Sequence, residues 1–312
     1  MIKQYLTIRN HILLVTLLAI FCGLFIPKQW VQDHILWFAV VLILGGVPHG
    51  ASDYLIFRQL LNGVETRNRK VIFGIFYFSV VLAYALLWWL SPMSAFILFL
   101  VIAVYHFGQS NWRYVQFTSK LRETFTYMIW GGLVVGVPVL LYYQESALII
   151  FEITSYQLTL EHYRWPIIFM LLVINIINIA QLSQDGVLKE GDLRREMFNI
   201  LLLTLLFFTT PLLIGFGVYF VFWHSVGSTL DQITLFKKFN KSYSVKQYLM
   251  KLMPFTISAF VGLGLLYWIL GDQMNYGINL GVLFLFISII TVPHSILMDR
   301  FYLLNSAHNK EH

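Results

Sequence analysis

The chain has 312 residues, of which 58% are apolar, 17% aromatic and only 12% charged, and its mean hydropathy is +0.72. So apolar a composition excludes an ordinary soluble domain and points to an all-α polytopic membrane protein forming one integral-membrane domain over residues 1–312. The net charge of +6 does not call for a nucleic-acid partner, because in a membrane protein a basic excess follows from retention of Lys and Arg on the cytoplasmic side.

Taken in order, the runs long enough to cross about 30 Å of hydrocarbon at 1.5 Å per residue fall at 10–27, 34–57, 71–90, 93–114, 124–143, 164–182, 195–210, 212–236, 253–271 and 277–301. The first is read as a retained helix and not a signal peptide, since Lys28 follows Pro27 directly and no small-residue cleavage site is present. It holds the single cysteine, Cys22, which has no internal disulfide partner. The seventh and eighth runs are divided only at Thr209-Thr210-Pro211, and residues 144–163 contain a short apolar piece, 147–153, expected at the interface.

Charge counting tests this arrangement of ten helices. With both termini cytoplasmic, every Lys and Arg of the 21 in the chain falls on the cytoplasmic side except Lys28 and Arg164. A helix added or removed in the middle would scramble that alternation.

Against this background the histidines stand out. The second run carries Val47-Pro48-His49-Gly50-Ala51-Ser52-Asp53, the fourth Val104-Tyr105-His106-Phe107-Gly108, the eighth Phe222-Trp223-His224-Ser225 and the tenth Val292-Pro293-His294-Ser295. All four helices run from outside to inside, and the first basic residue after each histidine is Arg58, Arg113, Lys237 or Arg300. Helical rise therefore sets the four imidazoles in one layer, roughly 9 to 20 Å above the cytoplasmic boundary. Hydrocarbon does not hydrate an imidazole, so a buried one has a partner or a task. A single such histidine is often no more than a hydrogen-bonded core residue. Four at one depth point to metal ligation, while His11, His34, His162, His308 and His312 lie at expected helix ends, loops or the tail.

Neutral imidazoles suit iron, copper, zinc or nickel alike. Ligands on four separate helices can leave two positions open on an octahedral iron(II), whereas a structural zinc site is usually closed. Asp53, four residues after His49, and Asp231, seven after His224, return to the helix face of their histidine and can accept its free ring N–H. The alternative for both is a helix-end carboxylate reaching the headgroups. Pro48 and Pro293 are expected to kink their helices just before the histidine. Gly45, Gly46, Gly50, Gly108 and Gly227 permit close helix approach, and Tyr54, Tyr105, Phe107, Trp112, Tyr219, Phe222 and Trp223 supply aromatic walls. No phosphate-binding glycine loop, catalytic Ser-His-Asp set or His-Glu-x-x-His motif is present. The lysine-rich stretch 237–251 reads as a topogenic loop facing lipid headgroups.

These motifs resemble those of the Brp/Blh family of membrane β-carotene 15,15′-dioxygenases, which release retinal in microbes that make rhodopsins. The matching pieces are Pro48-His49-Gly50-Ala51-Ser52-Asp53, His106-Phe107-Gly108, Tyr219 to Ser225, and Pro293-His294, in the expected order along nearly the whole chain. Family members often carry one more histidine four residues after the Trp-His-Ser histidine, where this chain has Ser228.

The resemblance implies an iron(II) enzyme of the cell membrane that cleaves the central double bond of β-carotene with O2 to two all-trans retinal. His49, His106, His224 and His294 would hold Fe2+, with Asp53, Tyr105 and Trp223 as catalytic residues. It also implies membrane lipid as surroundings and a functional link to a microbial rhodopsin. A carotenoid is about as long as the hydrocarbon core is thick, so a buried site entered from the bilayer suits it. The competing readings are a histidine-based proton or metal-ion transporter and a carotenoid- or retinal-binding protein without chemistry. The absence of an inverted repeat disfavours the transporter, and the four histidines disfavour the binding protein.

Overall fold

The computed structural model describes residues 2–27, 30, 35–61, 66–270 and 280–310, which are helical almost throughout and form no strand among the described residues. In chain order the helices are α1 (Ile2–Phe25), α2 (Ile35–Gly50), α3 (Asp53–Leu60), α4 (Arg67–Leu90), α5 (Pro92–Trp112), α6 (Lys120–Leu141), α7 (Tyr143–Thr154), α8 (Arg164–Gln184), α9 (Glu190–Thr209) and α10 (Leu212–Val218). A π-helical segment, Tyr219–Val226, follows, then α11 (Gly227–Phe239), α12 (Val245–Leu270) and α13 (Leu280–Lys310).

Local chemistry sets several of these boundaries. Thr66 and Ser119 accept the backbone N–H groups of Arg69 and Arg122, capping α4 and α6. Pro92 is the first residue of α5, where its missing N–H is harmless. Pro211 ends the helical run after Thr209, as the sequence suggested.

Among the described residues, eight helices are long and apolar enough to cross a membrane. The other two expected spans are helical as well, but differ from simple rods. The run 34–57 is split at Ala51-Ser52 into α2 and α3. The run 195–210 is the end of α9, whose first turns carry Glu190, Asp192, Arg194, Arg195 and Glu196. The interfacial piece 147–153 lies in α7. His11 is not at a helix end as expected: the polar residues before it continue the helix, so it lies inside α1, exposed. His162 is exposed in a short 3-10 turn and His308 lies in α13, while His34 and His312 fall outside the described residues.

The chain divides into two compact units, each assembled from three separated stretches. The first comprises residues 1–43, 104–148 and 157–225. In it α6 packs most extensively on α8, and α1 lies against α9 and α10. Lipid tails are as apolar as leucine, so membrane helices associate through small residues and interhelical hydrogen bonds. Both devices are present. A methyl group on Gly108 would collide with the backbone of Tyr127, and one on Gly131 with the carbonyl of Val104, so α5 and α6 touch backbone to backbone. Asn175 donates to the Ile129 carbonyl at 2.8 Å, and Thr126 bonds Asn178. Glu196, 2% exposed, accepts hydrogen bonds from Tyr114, Asn111, Asn199 and Arg195 and so fastens α9 to the end of α5.

The second unit comprises residues 44–103, 149–156 and 226–312, and here α13 packs on α3, α4 and α12. Its core includes two clusters of described residues. Leu55, Ile233, Phe236, Tyr243, Tyr248 and Leu252 form one, and Ile56, Leu235, Leu297, Met298, Phe301 and Tyr302 the other. Neighbouring positions on α3 and on α11 feed both. Elsewhere large apolar side chains point outward, such as Phe78 and Leu82 on α4 and Ile257, Val261 and Leu265 on α12, as lipid-facing helices require.

Candidate metal centre

Each unit holds a pair of buried histidines. In the second unit His49 ends α2 and His294 lies inside α13; both are at most 5% exposed. Their Nε2 atoms are 3.0 Å apart, and the rings meet edge to face, with centroids 4.6 Å apart at 76°. Behind them the Nδ1–H of His294 donates to Asp53 Oδ1 at 2.6 Å. A neutral imidazole carries one N–H, so this bond assigns the proton of His294 to Nδ1 and leaves its Nε2 a lone pair. Tyr77 of α4 also interacts with the Asp53 carboxylate, and Asp53 is 2% exposed.

Asp53 therefore serves the histidine of another helix. On an unbroken helix its four-residue spacing would return it to the face of His49. The break at Ala51-Ser52 changes that, and Ser52 donates its hydroxyl to the His49 carbonyl at 2.7 Å. Pro48 lies in the last turn of α2 beside this break, whereas Pro293 sits inside a helix that continues to Lys310.

In the first unit His106 of α5 and His224 of the π-helical segment form the second pair, with centroids 4.9 Å apart, again at 76°. They are 3% and 2% exposed. π-helical turns are rare and occur mainly at functional sites; here one carries a histidine, and Ser225 donates its hydroxyl to the Phe220 carbonyl at 2.8 Å. Phe216, Phe220 and His224 repeat every four residues with nearly parallel rings, at angles of 7° and 12°. Phe107 stands edge-on to His224, 4.7 Å between centroids.

The remaining expected residues are placed as follows. Tyr105 meets Tyr127 edge to face and interacts with Lys120. The Trp223 indole N–H donates to Thr16 of α1 at 3.0 Å. Trp112 packs edge-on against Trp130, both fully buried, and Tyr219 lies beside Phe107. Tyr54 is set between Phe73 and Phe255. Asp231 is half-buried on α11, and Ser228 is fully buried with its hydroxyl 3.5 Å from that of Tyr302. Sequence reasoning gave no role to Ser52, Tyr77 or Glu196. Glu196 had a signal, a carboxylate at the end of an apolar run; Tyr77 had none to separate it from other aromatic residues of α4.

The donor set fits a transition metal. Imidazole nitrogens about 2.1 Å from one ion and at right angles to each other are roughly 3.0 Å apart, the separation of the two Nε2 atoms of His49 and His294. A carboxylate behind a ligating imidazole is the usual support for such a ligand.

The family model described as beta-carotene 15,15′-dioxygenase matches residues 39–302, a stretch that contains all four histidines. The chain belongs to this family. It is 24% identical over 274 residues to the probable beta-carotene 15,15′-dioxygenase Blh of Halobacterium salinarum, covering 81% of this chain and 79% of that one. It is 25% identical over 286 residues to the beta-carotene 15,15′-dioxygenase of uncultured marine bacterium 66A03, covering 88% and 96%. No solved structure matches this family member.

Proposed function

We propose that this protein cleaves the central 15,15′ double bond of β-carotene with O2, giving two molecules of all-trans retinal, at an iron(II) ion held by His49, His106, His224 and His294. The observation that carries this reading is the presence, in each unit, of a buried edge-to-face imidazole pair on residues that the family match spans. One O2 divided between two aldehydes balances the reaction without added electrons or protons.

Iron held by these imidazoles would supply the activation of dioxygen that the polyene alone does not undergo. The chain's own residues do the rest. Asp53 keeps the proton of His294 on Nδ1, so that its Nε2 lone pair would be available to hold a metal ion. Phe107 meets His224 edge-on, Phe220 stacks on it and Phe216 stacks on Phe220, a surface for a flat conjugated chain whose electron-rich faces would stabilise positive charge on it. To Tyr105 and Trp223, held by Tyr127 and Thr16, we assign a further part in holding the polyene. Burial of all four histidines keeps bulk water from the reacting carbons.

The substrate dissolves in lipid and enters from the bilayer, and we assign the protein to the cell membrane, where its product serves a microbial rhodopsin. Expression in β-carotene-producing cells tests the reading. Bleaching with stoichiometric retinal is expected, lost when iron is chelated and restored by iron(II). Turnover of carotenoid by iron-free protein would remove the basis of the mechanism.

A further inference from the structure

The Asp53–His294 bond depends on how the chain turns between His49 and Asp53. In a regular helix the His49 carbonyl would be served by the N–H four residues on. Here it receives two donors from Ser52, the backbone N–H at 3.3 Å and the hydroxyl at 2.7 Å. Ser52 has ψ of −8°, well away from the usual helical value of about −42°. The next helix starts at Asp53, with Leu55 and Ile56 both donating to the Ser52 carbonyl.

A turn closed at three residues advances about 120° per residue, against about 100° in an α-helix. An unbroken helix would therefore leave Asp53 roughly 40° round from His49; two tightened residues carry it to roughly 80°. At that new bearing its carboxylate meets His294. Ser52 is fully buried, so no water replaces its hydroxyl if it is lost. Tyr248, also fully buried, interacts with the same side chain.

We propose that Ser52 is a positioning residue of the metal centre: its hydroxyl holds the turn that takes Asp53 off the His49 face and delivers it to His294. The inference rests on the reading of His49 and His294 as metal ligands. A serine that merely satisfies a helix carbonyl is common in membrane helices, so the test must read the effect through Asp53. The probe is cobalt(II) added to the full-length protein in detergent after removal of bound metal, followed by its visible absorption and by chelator competition.

Ser52→Ala is expected to weaken cobalt binding about tenfold and to lower kcat with KM for β-carotene within twofold, while Ser52→Thr stays close to wild type. Combined with Asp53→Ala, Ser52→Ala should add almost nothing, because it acts through the carboxylate. Should Ser52→Ala fail to fold, Ser52→Cys, with its weaker donor, takes its place and should show a smaller loss in the same direction. Wild-type affinity in the serine variant, or full additivity with Asp53→Ala, overturns the inference and leaves the metal centre standing. A wild-type protein that binds no cobalt and no iron overturns the metal centre itself.

Discussion

At 2.6 Å, the contact between Asp53 and His294 joins two buried residues 241 positions apart. Replacing Asp53 by alanine leaves a buried ring N–H without an acceptor, at a cost of about 1–3 kcal/mol. We expect Asp53→Ala to lose iron affinity by about 10- to 100-fold and Asp53→Asn, which keeps a carbonyl oxygen, to lose less; metal analysis of the purified variants decides it. Ser228 is the opposite case. It is fully buried beside Tyr302 and four residues from Gln232, itself bonded to Tyr248 and Met298. Ser228→Ala should retain iron and keep turnover within about threefold. Ser228→His must overpack this site, at about 1–3 kcal/mol, and should not raise retinal formation; a gain in activity would mean that the extra histidine expected here from the resemblance is the missing ligand. The four histidines and Asp53 could be picked from the sequence because ionisable side chains in apolar runs are few. The partner of Asp53 could not, since spacing along one helix says nothing of a turn opened by Ser52 or of a ring on another helix.

Helix packing in the first unit turns on two glycines. Gly108, two residues after His106, faces the Tyr127 backbone, and Gly131 on α6 faces Val104. Because both obstacles are backbone, no rotamer change relieves an added methyl, and α5 must move away from α6. Gly108→Ala and Gly131→Ala should each destabilise by about 3 kcal/mol or more, with Gly108→Ala also displacing His106 and lowering iron content. Gly74→Ala is the control: nothing lies within 4 Å of its added methyl, so thermal melts should show no loss. Gly108 was expected to allow close approach; Gly131 was not, because it has no nearby histidine to draw attention to it. Length and hydropathy located the helices well, and proline marked the break after Thr209. Neither reveals the π-helical winding around His224, which depends on the pairing of backbone groups and leaves the residue pattern unchanged.

For the molecule as a whole, membrane character was the most legible property, since it is a sum over hundreds of residues. The same charge count predicts the orientation, and we expect reagents that cannot cross the membrane to label the 237–251 loop only from the cytoplasmic side. Labelling from outside intact cells would reverse the topology. The division into two units was not legible. Their segments alternate along the chain, and no change in composition marks the crossings, because helices in lipid choose partners by shape and hydrogen bonding.

The interleaving also has a meaning in time. A chain leaves the ribosome from its N-terminus, so His106 and His224 can meet before the last helix exists, whereas the contact between His49 and His294 must wait for a residue made 245 positions later. A chain released early would be an inserted membrane protein that holds the His106–His224 pair but lacks the ring that meets His49 Nε2 and the Asp53 carboxylate. Completion of the His49–His294 pair thus reports that synthesis has finished, and the final helix acts as the clasp of the assembly.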